Sequence, residues 1–160
     1  MVVRLRKEPD VAAIAAASHD PETRRWLTDG PMDDEARRTS MARVEEAWRS
    51  GKSAPLVIAD AGTDEPVGLI NLQFGDSTTV AYSVFPAHRG GGIAPRALRL
   101  VSDWAFAGLG LNRLLLEADE ANAASLRVAE KCQFQRISSR VETDAEQGSR
   151  TTVTYARWRS

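Results

Sequence analysis

The stretch with most chemistry in this 160-residue chain is Val84-Phe85-Pro86-Ala87-His88-Arg89-Gly90-Gly91-Gly92-Ile93-Ala94, where three glycines separate a strand-like run from the start of a helix. Glycines there let the backbone turn tightly and approach a ligand, while the first helical turn offers unpaired N–H groups and the positive end of its dipole. A pyrophosphate suits such a place. The alternative is a plain turn before an amphipathic helix. Two phosphate schemes fail on the residues. A P-loop needs Gly-Lys-Ser or Gly-Lys-Thr, but Ile93-Ala94-Pro95 follows Gly92, which disfavours an NTPase. A dinucleotide fingerprint belongs to the first βαβ unit, whereas these glycines follow four strand-like runs, although Glu117 stands loosely at the distance of its acidic residue.

Other nucleophilic and metal chemistry has little to stand on. Cys132 is the single cysteine, so no intramolecular disulfide closes, and His19 and His88 lie far apart with no ligand-like spacing; no metal site is expected. Cys132 falls on the apolar side of a helical run without a nearby histidine, which makes it structural and not a nucleophile. The net charge of −1 gives no general pull toward nucleic acid or an anionic membrane. No run reaches the roughly 18 apolar residues of a membrane span. Arg4 and Arg6 stand where a signal peptide would be apolar, so a cytoplasmic location is expected. Size and composition fit one domain over residues 1–160, with no linker or repeat.

The elements that must position the glycine run follow from periodicity. Val2, Val3 and Leu5 form an opening strand, and Asp10 is expected to cap a helix over Val11 to Ala17 that Pro21 must end. After the turn Asp29-Gly30-Pro31, the acidic residues Asp33, Asp34 and Glu35 open a second helix, in which Met41, Val44 and Trp48 recur at helical spacing and Gly51 ends the run. Strands are expected at Leu56 to Ala59, Val67 to Phe74 and Thr78 to Phe85, an antiparallel meander. Ala94, Ala97, Leu98, Val101, Trp104 and Ala105 share one face of a helix stopped by Gly108 and Gly110. Arg113 to Ala118 is a Leu-rich strand, Asn122 to Lys131 a helix with Leu126, Ala129 and Cys132 inward, and Arg136 to Val141 with Thr151 to Trp158 a closing hairpin. The fold class is α/β. A mixed, mostly antiparallel sheet contains one parallel β-α-β unit with a right-handed crossover.

With these residues in place, the chain resembles the GNAT superfamily of acyl-CoA-dependent N-acyltransferases, in particular its ribosomal-protein N-terminal acetyltransferase-like branch. The resemblance covers nearly the whole chain. It rests on Arg89, Gly92 and Ala94 after the strand ending Val84-Phe85-Pro86, and on Leu116-Glu117-Ala118-Asp119-Glu120-Ala121-Asn122-Ala123-Ala124-Ser125 followed by Ala129-Glu130-Lys131-Cys132-Gln133-Phe134. It implies acetyl-CoA as cosubstrate, bound where the Thr78 to Phe85 strand splays from the Arg113 to Ala118 strand. The pyrophosphate would lie on Gly90, Gly91, Gly92, Ile93, Ala94 and Pro95, with Arg89 in the same motif. Backbone groups of Tyr82, Ser83 and Val84 would pair with the pantetheine amides as an added strand, Asn122 would hold the pantetheine from the opposite side, and Lys131 would reach a cofactor phosphate. Asn122 is equally an ordinary helix cap and Lys131 an ordinary exposed lysine.

The resemblance also assigns catalytic roles. Glu117, five residues before Asn122, matches the catalytic glutamate of the ribosomal-protein alanine acetyltransferases and would act as base through water; otherwise it faces solvent or pairs with an arginine on a sheet edge. Their tyrosine acid is absent, since Ala129 occupies its place. Ser125, three residues beyond the asparagine, would be the replacement acid, and is otherwise an ordinary first-turn helix residue; Tyr82 is a weaker candidate that as a strand residue alternating with Val84 is equally a core side chain. Gln133 stands where the family usually has Gly before Phe134, which puts the turn geometry in question. The acceptor side would be built by Pro21 to Ser50, with Trp26 and Trp48 as aromatic walls and Asp29, Asp33, Asp34 and Glu35 as attractors of a cation; each has a local explanation as an anchor or an acidic helix start. The implied activity is acetyl transfer to a protein α-amine or small primary amine. The alternatives are a non-catalytic acyl-CoA sensor and an interaction protein with no CoA site. A homodimer is plausible by resemblance, but no interface is legible.

Overall fold

In a computed structural model, residues 1–27 and 30–160 are described. Asp29, expected in a turn and on the acceptor side, lies outside them. The chain runs β1 (Val2–Arg4), α1 (Asp10–Ser18), α2 (Pro21–Trp26), α3 (Asp34–Ser50), β2 (Ser53–Ala59), β3 (Pro66–Gln73), β4 (Thr79–Val84), a 3₁₀ turn (Pro86–His88), α4 (Ile93–Ala107), β5 (Arg113–Asp119), α5 (Ala123–Lys131), β6 (Gln135–Asp144) and β7 (Gly148–Trp158). One seven-stranded sheet has the order β1-β2-β3-β4-β5-β7-β6. Every neighbouring pair is antiparallel except β4 and β5, which are parallel. This is the mixed sheet that the patterning predicts.

Two expectations change. Asp10 is not the N-cap of α1: Pro9 is, and it makes no side-chain cap bond. A tight turn, in which the Asp10 N–H donates to the Lys7 carbonyl, draws Asp10 into the first helical turn. From there its carboxylate accepts the Lys7 N–H at 2.8 Å and pairs with Arg4 at 2.8 Å. The second change is α2, which no apolar periodicity announced. It is six residues long and depends on its ends, with Pro21 at the first turn and the Asp20 side chain accepting the Thr23 N–H.

The sheet is covered on both faces. Leu56, Ile70 and Tyr82 lie in register on one face, and there Leu56, Ile70 and Leu72 pack with Ala97, Leu98 and Val101 of α4 and Ala129 of α5, with Tyr82 against them. On the other face, Ile14 of α1 packs against Val57, Ala59 and Phe85. Burying these large aliphatic side chains on a pleated sheet contributes about 1.5–3 kcal/mol each. Gly68 of β3 is buried because nothing larger fits: a Cβ there would meet the Ser83 carbonyl oxygen at 2.7 Å.

What the topology builds is a splay. β4 and β5 share the single registered pair Thr79–Leu115, sealed by the Leu115 N–H on the Thr78 carbonyl at 2.9 Å. Beyond it they separate toward their C-terminal ends, with the glycine loop after β4 and the first turn of α5 after β5.

Candidate active site

Ladder parity decides which backbone groups line the splay. The Phe85 N–H donates to Val67 of β3 while Thr78 turns its carbonyl to β5. Since backbone direction alternates along a strand, Tyr82 and Val84 aim their N–H and C=O groups at the opening, and Ser83 aims its own at Leu69 of β3. Ser83 is therefore committed to the sheet and cannot pair with a ligand there, a correction to its expected role. On β5 the same parity, set by the Leu115 N–H and by the Glu120 N–H on the Thr151 carbonyl, turns the backbone of Glu117 and Asp119 to the opening. The Val84 carbonyl accepts the Arg89 Nε and the Asp119 carbonyl the Asn122 N–H; the other groups of this pair of edges are arranged as a ladder partner for an extended chain of amides.

The glycine loop closes the end of that opening. Gly90 and Gly92 have φ of +83° and +77°, the left-handed region that disfavours a side chain, and a Cβ on either would point into open space. Gly92 caps α4 without a side-chain bond, which leaves the first-turn N–H groups of Ile93 and Ala94 to an anion. Arg96, which sequence reasoning missed, folds back onto the loop, donating to the carbonyls of Gly92 at 3.2 Å and Gly91 at 3.1 Å. Arg89 is placed differently: its Nε donates to the Val84 carbonyl and its Nη2 to Asp20 and Thr23 of the α2 cap, each near 3 Å. It ties the loop to α2. The anchor at Cys132 does similar work, with its thiol on the Pro95 carbonyl at 3.4 Å. Burial pushes that thiol up, so it stays protonated.

Asn122 is the N-cap of α5, its Oδ1 accepting the Ser125 N–H at 3.3 Å. The cap uses only the amide oxygen, so both Nδ2 hydrogens remain for a ligand carbonyl. Lys131 is exposed at the far end of α5, its carbonyl taken by Arg99 of α4. Ser125 Oγ lies 3.2 Å from Tyr82 Oη, joining α5 to β4 across the splay. Burial pushes the Tyr82 phenol up, so it too holds its proton.

Glu117 sits on the opposite sheet face from Tyr82, the face of Leu115 and Thr79 and of α1. Its carboxylate is gripped by Arg140 of β6, Nη1 to Oε1 at 2.9 Å and Nη2 to Oε2 at 3.3 Å. This is the pairing with a sheet-edge arginine left open above. The bonds to Glu117 and Glu142 push the Arg140 guanidinium further up. Asp119 pairs with Arg150 at 2.9 Å and Glu120 with Arg136 at 3.4 Å, so all three carboxylates at the end of β5 face an arginine of the β6–β7 hairpin.

The expected acceptor walls have local partners. Trp26 donates its Nε1 to Glu22 at 2.8 Å beneath the Arg25 guanidinium, and Trp48 donates to the Pro55 carbonyl at 3.2 Å. Asp33 caps α3 through the Ala36 N–H, and Glu35 pairs with Arg38. Among the described residues no cluster could hold a metal ion, and no helix is long and apolar enough to cross a membrane.

Comparison with known proteins fits this geometry. Residues 1–135 match the family model of the Acetyltransferase (GNAT) domain. A curated relative, an uncharacterized N-acetyltransferase p20 of Bacillus licheniformis, is 22% identical over 141 residues, covering 85% of this chain and 79% of the relative. The crystal structure of a ribosomal-protein-S5-alanine acetyltransferase from Vibrio fischeri superposes with a TM-score of 0.81 at 19% identity, over 98% of this chain and 91% of that one. Spermidine N-acetyltransferase from Vibrio cholerae, solved with CoA and spermine, gives 0.84 at 17% identity, over 98% and 94%. The chain belongs to the GNAT acetyltransferases and is an N-acetyltransferase that uses acetyl-CoA.

Proposed function

We propose that this enzyme acetylates an isolated primary amine, a protein or peptide N-terminal α-amine before all others, by direct attack of that amine on the thioester. One observation carries the choice of acceptor: Glu117, Asp119 and Glu120 are each matched by an arginine. A polyamine needs carboxylates free to take several ammonium groups, and this rim offers paired ones. The energetics of the base agree. A lysine amine costs about 4.6 kcal/mol to deprotonate at pH 7, an α-amine only about 1, so a carboxylate already shared with Arg140 suffices for the second. Names of the structural neighbours include both a ribosomal-protein alanine and a spermidine acetyltransferase, and both acceptors are primary amines.

The residues present fit the cosubstrate, as the backbone of Tyr82 and the Val84 N–H, both turned away from β3, and the space around Gly90 and Gly92 indicate. Bound acetyl-CoA supplies an acetyl group activated as a thioester. The backbone N–H groups of Gly90 to Ala94 take the pyrophosphate, with Pro95, which has no N–H, shaping the first turn of α4, Arg96 alongside and Arg89 fixing the loop; Lys131 reaches a phosphate from α5. Tyr82 and Val84 pair with amides and Asn122 Nδ2 donates to a carbonyl. Glu117 receives the acceptor's proton through water, and Ser125 Oγ provides a proton to the departing sulfur. Cys132 has no part in it.

Free-thiol release with α-amino peptides, polyamines and aminoglycosides tests this. Turnover should be fastest with the α-amino peptides, and Glu117→Gln should lower kcat about a hundredfold. Faster turnover with a polyamine would overturn the acceptor class. Binding of acetyl-CoA without turnover on any amine would favour a sensor, a reading that the hydroxyl pair at Tyr82 and Ser125 argues against.

A further inference from the structure

Ala129 occupies the place of the tyrosine acid of the branch that the chain resembles, yet the Ser125 hydroxyl has a phenol beside it. Tyr82 reaches it from the other side of the splay at 3.2 Å, and the two side chains meet where β4 and β5 have separated and no ladder bond joins them. A hydroxyl is a rotor with one donor and two acceptor sites, so an acid at Ser125 needs something to take a lone pair and turn its hydrogen outward. The Ser125 backbone cannot do this, because its N–H is spent on the Asn122 cap.

We infer that Tyr82 is a positioning residue that donates its phenolic hydrogen to Ser125 Oγ and thereby directs the Ser125 hydrogen into the splay, toward the leaving sulfur. The inference rests on the reading of Ser125 as the acid. Three features support that direction of the bond. Tyr82 packs against the core formed by α4 and α5, where an anionic phenolate would be poorly solvated. Its register partner is Ile70, an apolar neighbour that offers its phenol nothing. Among the described residues, Ser125 is the one hydrogen-bond partner of the Tyr82 hydroxyl. The step balances on one proton. The C–S bond breaks, the departing thiolate takes the Ser125 hydrogen, and the Ser125 oxygen, a far stronger base than a phenolate, takes the phenolic hydrogen that already points at it. Tyr82, which acts only through Ser125, regains its proton from water after release.

The test is a double-mutant cycle on the full chain with thiol release as the rate, joined to a measurement on the ligand-free protein. Ser125→Ala should lower kcat about a hundredfold and Tyr82→Phe about tenfold, each changing KM for acetyl-CoA less than twofold, and Tyr82→Phe should cost less than twofold further in the Ser125→Ala background. Without ligand, the ¹³Cζ resonance of Tyr82 should titrate at higher pH in Ser125→Ala than in wild type. Equal factors for Tyr82→Phe in both backgrounds would overturn the inference, because Tyr82 would then act independently. So would an unchanged kcat or an unmoved resonance. Loss of thiol release in wild type itself would instead overturn the acetyl-transfer reading, a result that these variants cannot produce.

Discussion

Replacing Gly92 by Asn and by Asp separates the shape of the loop from its charge. Gly92 has φ +77° and ψ 15° and caps α4, and a Cβ there meets nothing within 4 Å. Both side chains therefore fit, and both pay the same left-handed backbone, about 1 kcal/mol, which Asn and Asp tolerate better than other residues. The carboxylate gains about 0.3–1 kcal/mol from the helix dipole, so Gly92→Asp should be at least as stable as Gly92→Asn. Toward a pyrophosphate the two differ in sign. At a separation of about 6 Å and an effective dielectric of about 20, one carboxylate and one phosphate charge repel by roughly 3 kcal/mol, or about a hundredfold in Kd. Calorimetric titration with acetyl-CoA should show Asn within about tenfold of wild type and Asp about a hundredfold weaker than Asn, the gap narrowing in high salt. Equal affinities for Asn and Asp would refute a phosphate on this loop.

Other consequences concern stability. Gln133 has φ +68°, a strained place for a side chain, so Gln133→Gly should raise stability by about 1 kcal/mol, read as a Tm increase of about 2–4 °C. Gly68→Ala drives a Cβ to 2.7 Å from the Ser83 carbonyl and should cost about 2–3 kcal/mol in urea unfolding while straining the β3–β4 ladder. Burial alone would raise the Asp10 carboxyl, but the bonds from Arg4 and the Lys7 N–H outweigh it and hold the group below its ordinary value of 3.8. Because the folded value is the lower one, this stabilisation is complete above the unfolded value and is lost as pH falls through the folded one. Asp10→Asn should therefore destabilise by about 2–3 kcal/mol at pH 7, with the gap to wild type in urea midpoints closing as pH falls through and below the ordinary carboxylate range.

Much of the fold was legible because its elements carry strong periodicity or strong punctuation. The apolar face of α4, the Leu-rich β5 and the glycine run each announce themselves over many residues, and together they place a splay, a loop and a helix end in the right order. α2 was invisible because six residues cannot show a helical period; its signal, Asp20 before Pro21, lies in the cap alone. The ends of β2 and β6 ran past their apolar residues, since β6 is exposed along its whole length and is held by ladder bonds to β7. The site was legible by residue type and less so by direction. Sequence spacing chose Glu117 and Ser125 but could not know that Arg140, 23 residues away on β6, would grip the first, or that Tyr82 would meet the second. The direction of the Ser83 backbone is hidden for the same reason: alternation assigns it to β3, and alternation becomes readable only when the register is known. The departure at Gln133 did not break the turn, because the chain accepts the left-handed conformation there.

The central claim is that the splay between β4 and β5 and the loop that follows β4 form the acetyl-CoA site. Amide chemical-shift changes of the full chain during titration with CoA test it most directly. The Tyr82, Val84, Gly91, Gly92, Ile93 and Ala94 N–H resonances should shift saturably, with those of the β6–β7 turn unmoved. Saturation confined to the hairpin or to α3, with the Gly91 to Ala94 resonances unchanged, would contradict it.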